Sequence, residues 1–496
     1  MTTLKTRFPA ILSCFAFALG FAAIIIITTK RIGHWYYPLD DTYIEMSIAK
    51  HLALNGVWGT SSQFASAASS PGFILLLAIC YKLTGASQYA PLALAFASCF
   101  GVIFVCANRL RAPGVLLLVA LTPLWTMATL GMEHALHILL CLLFLDLAAS
   151  MIAFNQQLNW KIMGTAFLMV SIRYESLFVI AGACLLLLLR KRWQSCIALA
   201  CAGWFPVFIF GLYFRLHGAR WLPNSILLKS GAVTFHIAEF FARGYYIVPM
   251  MFLATWLAWT RRWSLTNSYA TCCLGITTIT LWLHFLFADY GWCYRYEAYL
   301  VALGIVSLVM CYREAMFSNA QVYLSAIALG FLMTRAIAAT VNLPSFSRDI
   351  YLQQVQTAKF LSTYPGPAAL NDIGAPTYFT DAPILDLVGL GSQDVFRARY
   401  HHPYTTEALS RLLAAHDIHT IAVYDAWFSI HPAVRFGGPP LPSNYVRVGS
   451  LITPNSGNLG SNTVSFYATQ SSVNHLRSAL LAFRPSLPLG DRLEIR

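Results

Sequence analysis

The sequence predicts a polytopic α-helical membrane protein carrying a small mixed α/β domain at its C-terminal end. Of 496 residues, 58% are hydrophobic and only 11% charged, where soluble domains carry about 25% charged residues. Apolar runs long enough to cross a bilayer recur up to residue 342. After Leu343-Pro344 the runs shrink and Pro, Gly, Asn and Asp become frequent. The formal charge of +13 is of the kind that Lys and Arg in orientation-fixing loops supply, and nothing calls for nucleic acid as a partner. The 12 cysteines show no zinc-type spacing and all lie before residue 312, so the C-terminal third cannot rely on disulfides of its own.

In chain order, "ILSCFAFALGFAAIIIITT" is about 19 residues of nearly unbroken hydrocarbon with no small-residue cleavage site behind it, a retained span. "DDTYIEMSIAKHLALNG" follows as an amphipathic helix lying on the membrane. Asp and Thr stand at its start, Thr42 with Glu45 makes a capping-box pattern, Ile44, Ile48 and Leu52 recur at helical spacing, and Asn55-Gly56 supplies a stop. "GFILLLAICYKL" is too short to cross and reads as re-entrant or interfacial. Long runs follow at 90–108, 132–153, 195–216, 266–287, 296–312 and 320–340, with shorter ones at 113–128, 161–172, 174–189 and 245–260.

If 161–172 and 174–189 are two antiparallel legs, the basic loops 109–111, 190–192 and 261–262 and Arg313 all share one side with Lys5 and Arg7. That arrangement satisfies the positive-inside rule at every basic loop and predicts about eleven spans, with the N-terminus in the cytoplasm and the C-terminus outside. The expected domains are residues 1–342, transmembrane with a first outer loop at 29–89, and residues 343–496. In the latter, "AALNDIG", "PILDLVGL" and "TIAVYDAWF" read as short strands and loops.

This topology gathers the unusual polar residues at the outer boundary, where ionisable groups near hydrocarbon usually mark function or find partners. Asp40 and Asp41 stand side by side at the start of the second helix. One carboxylate is enough to start a helix; a second only adds repulsion. A carboxylate at a water–lipid boundary can remove the proton of an attacking hydroxyl. Its neighbour can orient it and raise its pKa, or the two can hold a divalent cation such as Mg or Mn. Arg173, Lys229 and Arg295 would suit a phosphate leaving group. Each has a plainer reading: an Arg173–Glu175 structural ion pair, a snorkelling Lys229, and Arg295 within an aromatic belt of Tyr290, Trp292, Tyr294 and Tyr296. Glu133 and His134 read as pocket wall or helix start. The paired histidines of "YHHP" (400–403) have no carboxylate partner in sequence and are a weak metal signal.

Taken in order, "LDDTYI", "SSPGFILLLA", "LGMEHAL", "IRYES", "LPNSILLK", "YRYEAYLV" and "LNDIGAPTYF" with "ILDLVGLG" resemble the GT-C superfamily of membrane glycosyltransferases over nearly the whole chain. The wider order also resembles a bacterial branch of it that includes the terminal arabinofuranosyltransferases of actinobacterial cell walls. The resemblance implies a polyprenyl-phosphate sugar donor and an acidic residue of the first outer loop as base or metal ligand, which carries over to Asp40 and Asp41, Asp40 first as the base. It also implies pocket or donor-phosphate roles for Glu133, Arg173, Glu175, Asn224, Lys229, Arg295 and Tyr296. Tyr174 stands where the family often has Pro, and Ser70 where Thr often precedes Pro71. Both departures leave the charges intact.

The expected function is transfer of a sugar from a polyprenyl phosphate to a cell-envelope glycan, lipid or protein on the outer face of a bacterial cytoplasmic membrane. The alternatives are a glycolipid transporter or flippase, and a non-catalytic envelope-assembly subunit. A transporter would be expected to show inverted repeats and polar groups at the midplane, and the sequence has neither.

Overall fold

The computed structural model describes residues 2–229, 237–314, 317–401, 403–431, 437–454 and 457–496. Where apolar residues run without interruption the chain is helical. The first helices are α1 (Thr2–Ile32), α2 (Asp40–Asn55), α3 (Pro71–Thr84), α4 (Ala90–Ala107), α5 (Ala112–Leu121), α6 (Leu124–Thr129) and α7 (His134–Ala153). They continue as α8 (Trp160–Ile172), α9 (Ser176–Leu189), α10 (Trp193–Leu216) and the short α11 (Asn224–Lys229). The bundle ends with α12 (Val248–Thr260), α13 (Tyr269–Phe287), α14 (Ala298–Glu314) and α15 (Asn319–Ile350).

Seven of the described helical segments are long and apolar enough to cross a membrane, and the chain is a multi-pass membrane protein. Four further apolar helices, α3, α5, α8 and α9, are shorter. At 1.5 Å per residue a 13-residue helix covers about 20 Å of a roughly 30 Å hydrocarbon layer. By length and composition the described residues thus hold seven candidate spans, with the four shorter helices beside them, where about eleven spans were expected. The basic loops do share one end of the bundle: Arg313 donates to the Arg109 carbonyl (2.6 Å), Arg109 pairs with Asp146 (2.6 Å), and Arg190 donates to the Thr266 carbonyl. The twelve cysteines are all free thiols.

The second helix departs from its sequence reading. It begins at Asp40, with Leu39 as N-cap and no side-chain cap. Thr42 instead donates to the Leu130 carbonyl (2.9 Å), and Glu45 accepts from Ser70. Asp40 and Asp41 in the first turn complement the helix dipole, which leaves Thr42 and Glu45 for tertiary contacts. Nor does α2 lie on a membrane surface: Thr42–Ala49 are buried, because α3 and the C-terminal domain cover it. Its stop is as read, with Gly56 left-handed at φ 70°.

Leu343-Pro344 marks the change in composition but not the end of an element. Pro344 sits inside α15, which continues as a π-helical turn (Tyr351–Val355) into α16 (Gln356–Thr363). Beyond it, six strands form one sheet in the order β2-β1-β3-β5-β4-β6. β1 (Ala368–Leu370) lies parallel to β2 (Ile384–Asp386) and β3 (Thr420–Val423). β4 (Tyr445–Ile452), β5 (Thr463–Thr469) and β6 (Arg492–Ile495) complete it antiparallel. The short helix α17 (Gly374–Phe379), following β1, packs on α2. Gln353 and Gln354, on the π-helical turn, reach from the long helix into the sheet domain at Ser461 (2.9 Å) and Asp372 (2.7 Å).

Candidate active site

The helix start at Asp40-Asp41 sends two adjacent carboxylates in different directions. Asp40 faces the sheet domain, where it accepts from the backbone N–H groups of Gly374 (2.6 Å) and Ala375 (2.9 Å). Burial and the charge of Asp372 push Asp40 well above the usual carboxylate range, against the pull of those N–H groups. Asp372 is itself held by Gln354 (2.7 Å) and Tyr424 (2.8 Å). Gly374 is required by close approach: a Cβ would run into the Asp40 carbonyl oxygen and come within 2.6 Å of its Oδ2. Asp40, first choice for the base, is therefore engaged in joining the two domains.

Asp41 faces the other way. It pairs with Arg295 and lines a cavity with Glu45, Glu133, Arg173, Arg295 and Tyr296. Arg295 is buried, so the aromatic-belt reading fails for it; its Nη2 also donates to the Tyr296 hydroxyl (2.9 Å). Arg173 pairs with both Glu133 and Glu175, its Nε donating to Glu175 at 3.2 Å. The Tyr296 ring lies 5.4 Å from the Arg173 guanidinium and 4.8 Å from that of Arg295, within the range of a cation–π contact.

Two local devices bring these groups together. Gly131, at φ 65°, turns the chain before Glu133 where a side chain would overlap the Tyr37 ring. Before Arg295, Gly291, Trp292, Cys293 and Tyr294 all have positive φ, from 47° to 96°. A left-handed run costs non-glycine residues about 1–2 kcal/mol each. It is held by Glu297, which accepts from the Gly291 N–H (3.3 Å), and by Arg335, which donates to the Tyr294 carbonyl. Strain of this kind collects where a side chain must be aimed.

Among the described residues, four buried polar atoms on residues that line this cavity have no hydrogen-bond partner: Glu45 Oε2, Glu133 Oε2, Arg295 Nε and Ser225 Oγ. Buried polar groups are nearly always satisfied, and four orphans on the residues of one cavity suit a polar ligand there. The cavity is about 50 Å³, well below the roughly 300 Å³ at the low end for ligand pockets.

The remaining sequence candidates are placed as follows. Glu133 and Glu175 belong to the Arg173 cluster, and His134 lies 3.6 Å from Glu133. Asn224 does not line the cavity. Its amide is fully used, donating to the carbonyls of Gly389 (3.3 Å) and Leu390 (3.2 Å) and to Gln393 (3.2 Å), while its oxygen accepts from Ser66 (3.1 Å). Lys229 ends α11, and its side chain lies outside the described residues, as does His402 of the histidine pair. A cation held by both Asp40 and Asp41 does not fit, because the two carboxylates face different partners. Among the described residues, no three His, Cys, Asp or Glu side chains are grouped so that they could hold a metal ion. Asp386 closes a turn, accepting from Val388 (2.8 Å) and Gly391 (2.7 Å). Sequence reasoning missed Glu45, which the capping-box pattern had absorbed, and Ser225, the neighbour of a residue it did choose.

Residues 348–467 match a family described as Domain of unknown function (DUF8728), and no curated protein matches the chain. Among solved structures, ArnT from Cupriavidus metallidurans bound to undecaprenyl phosphate superposes with a TM-score of 0.52 at 11% identity, over 92% of this chain and 98% of that one. The apo form of the same protein gives a TM-score of 0.50 at 10% identity over the same shares. Over nearly its whole length the chain thus has the GT-C fold that its ordered motifs resemble.

Proposed function

We propose that the chain transfers a sugar from a polyprenyl-phosphate donor to an acceptor hydroxyl at the outer face of a bacterial cytoplasmic membrane. The observation that carries this reading is the cavity in which Asp41, Arg173 and Arg295 meet beside four unpartnered buried polar atoms. The fold is shared with a protein bound to undecaprenyl phosphate, which supports a lipid phosphate as the donor's carrier.

In this mechanism the donor phosphate enters between Arg295 and Arg173 and replaces Asp41 as the partner of Arg295. Asp41, released, accepts the acceptor's O–H proton while that oxygen attacks the anomeric carbon. The bond from that carbon to the phosphate oxygen breaks, and the polyprenyl phosphate leaves with its charge stabilised by the guanidiniums. Asp40 seats the first turn of α2 against the sheet domain. No step is routed through a cation. A single displacement inverts the anomeric centre. The sheet domain lies on the outer side in this reading, over the cavity, to which it contributes Leu390; the arabinofuranosyl branch is the finer identity that the motif order favours.

The test is a reconstituted assay with a panel of polyprenyl-phosphate sugars. Radiolabel moving from donor to an acceptor extract supports the reading. Translocation or binding of the glycolipid without transfer would replace it with the transporter or the assembly-subunit reading.

A further inference from the structure

A second cavity, of about 390 Å³, lies between the end of α10 and the helix α18 (Gln393–His401) of the sheet domain, lined by Arg215, Ala219, Arg220, Gln393, Phe396 and Arg397. Three arginines line it. Among the described residues, Asp394 lies 3.6 Å from Arg397 and is shared with His416 at 3.4 Å. Arg397 also donates to the Gly218 carbonyl (3.0 Å), and Arg220 stacks on Tyr400 at 4.8 Å. Both side chains are thereby held at the rim. Guanidinium forks match phosphate oxygens two at a time, and arginine is the usual choice where a phosphate must be fixed rather than merely attracted.

Position says which phosphate. The helix α10 is a membrane-spanning segment whose Trp204, Phe205, Phe208, Leu212 and Leu216 are exposed, as a lipid-facing surface would be. Arg215 lies in its last turn, so the cavity opens where hydrocarbon gives way to headgroups. The cavity also adjoins the candidate active site. Gln393 lines it and accepts from Asn224 (3.2 Å), whereas Ser225 and Leu390, one and three residues away, line the Asp41 cavity. The segments Leu390–Gln393 and Asn224–Ser225 form the partition between the two.

We propose that the Arg215–Arg220–Arg397 cavity holds the phosphate of a membrane-lipid headgroup, and that this phosphorylated lipid is the acceptor. The first half stands on the cavity alone; the second rests on the glycosyl-transfer reading above. Anchored there, the lipid presents the rest of its headgroup across a partition only a few residues thick from the base.

The first arm titrates the purified full chain with dioctanoyl phosphatidic acid, with dioctanoylglycerol and inorganic phosphate as competitors and undecaprenyl phosphate binding measured in parallel. Arg215→Gln/Arg220→Gln should weaken phosphatidic acid at least tenfold and leave undecaprenyl phosphate within twofold. Arg215→Gln alone, a change at an exposed side chain, should weaken it several-fold if the double variant does not fold. Unchanged affinity in a folded variant overturns the site. Competition by dioctanoylglycerol as strong as that of the phosphatidic acid overturns the phosphate specificity, and equal competition by inorganic phosphate overturns the lipid. The second arm offers a lipid extract as acceptor before and after phosphatase treatment, with the enzyme removed before the donor is added. Transfer lost on dephosphorylation supports the acceptor assignment, and equal transfer to both extracts overturns it. Loss of undecaprenyl phosphate binding by the unmodified chain would instead count against the glycosyl-transfer reading and leave the first arm standing.

Discussion

Replacing the two adjacent aspartates one at a time should give opposite results. Asp41→Asn removes the proposed base, a contribution of about 10²–10⁴ in rate. Its effect on stability should be small, because the Asp41 side chain is 36% exposed and a solvent-screened pair contributes about 1 kcal/mol or less. Asparagine keeps an oxygen for Arg295, which also retains Tyr296. Asp40→Asn keeps one acceptor of two for the Gly374 and Ala375 N–H groups. The lost bond costs about 1–3 kcal/mol, partly offset by removing a carboxylate that burial and Asp372 both disfavour as a charge. A net cost of ~1 kcal/mol is small against the several kcal/mol by which folded proteins are stable, so Asp40→Asn should stay folded and keep most of its transfer. The assay is steady-state transfer by reconstituted protein, with melting temperature in detergent as the control for folding. If Asp40→Asn abolished transfer with its melting temperature intact while Asp41→Asn still turned over, the division of roles would be refuted.

Four further outcomes follow from the same geometry. Gly374→Ala should lower the melting temperature by several degrees and reduce transfer, because its Cβ meets the Asp40 backbone; an unchanged melt would remove the close-approach argument. Arg173→Met leaves Glu133 and Glu175 without their shared cation, a loss of about 3–5 kcal/mol for a buried pair broken from one side, and adding Glu133→Gln should restore part of the melting temperature. Transfer should proceed at the same rate in excess EDTA, since Asp40 and Asp41 face different partners; a loss reversed by Mg or Mn would return the pair to a metal-binding role. Burial, opposed by the Gly391 and Val388 N–H groups, raises Asp386 to about 6. The folded state therefore binds its proton more tightly than the unfolded chain does, and the associated stability is full below about pH 4 and lost as pH rises through about 6, on the order of 3 kcal/mol. Asp386→Asn, which cannot ionise, should flatten the dependence of melting temperature on pH across that window.

The membrane character and the mixed C-terminal domain were legible because both are written in composition: apolar runs in one part, short strands between Pro and Gly in the other. The helix stop at Gly56 was legible because a left-handed residue after a helix has one preferred type. Span count was less so. The helices α8 and α9 are 13 and 14 residues, lengths at which a sequence cannot distinguish a crossing segment from a buried one. The Arg295 site was only half legible: its charge stood out, but its burial depends on the left-handed turn at 291–294, which the aromatic residues there do not announce. Glu45 was hidden by a local pattern that tertiary contacts with Ser70 and Leu130 outbid. Asn224 was selected by motif order and turned out to be a strut, since a motif records that a residue matters without recording whether it touches a ligand.

The adjacency of the two aspartates, a puzzle in one dimension, has a physical answer in three. Successive residues on an α-helix project about 100° apart, so neighbouring carboxylates in a first turn can serve two surfaces at once. Asp40 takes the N–H groups of Gly374 and Ala375, and Asp41 takes Arg295. Little like-charge repulsion is left between them, because burial and Asp372 disfavour the charged form of Asp40 while Asp41 finds Arg295. The same arrangement ties chemistry to architecture. With Asp40 fixed to the sheet domain, the direction of Asp41 is set by how that domain sits on the bundle. A substitution at the Gln353–Gln354–Asp372–Tyr424 contacts, which touch no cavity residue, should then act on transfer through the position of Asp41 and leave undecaprenyl phosphate binding unchanged.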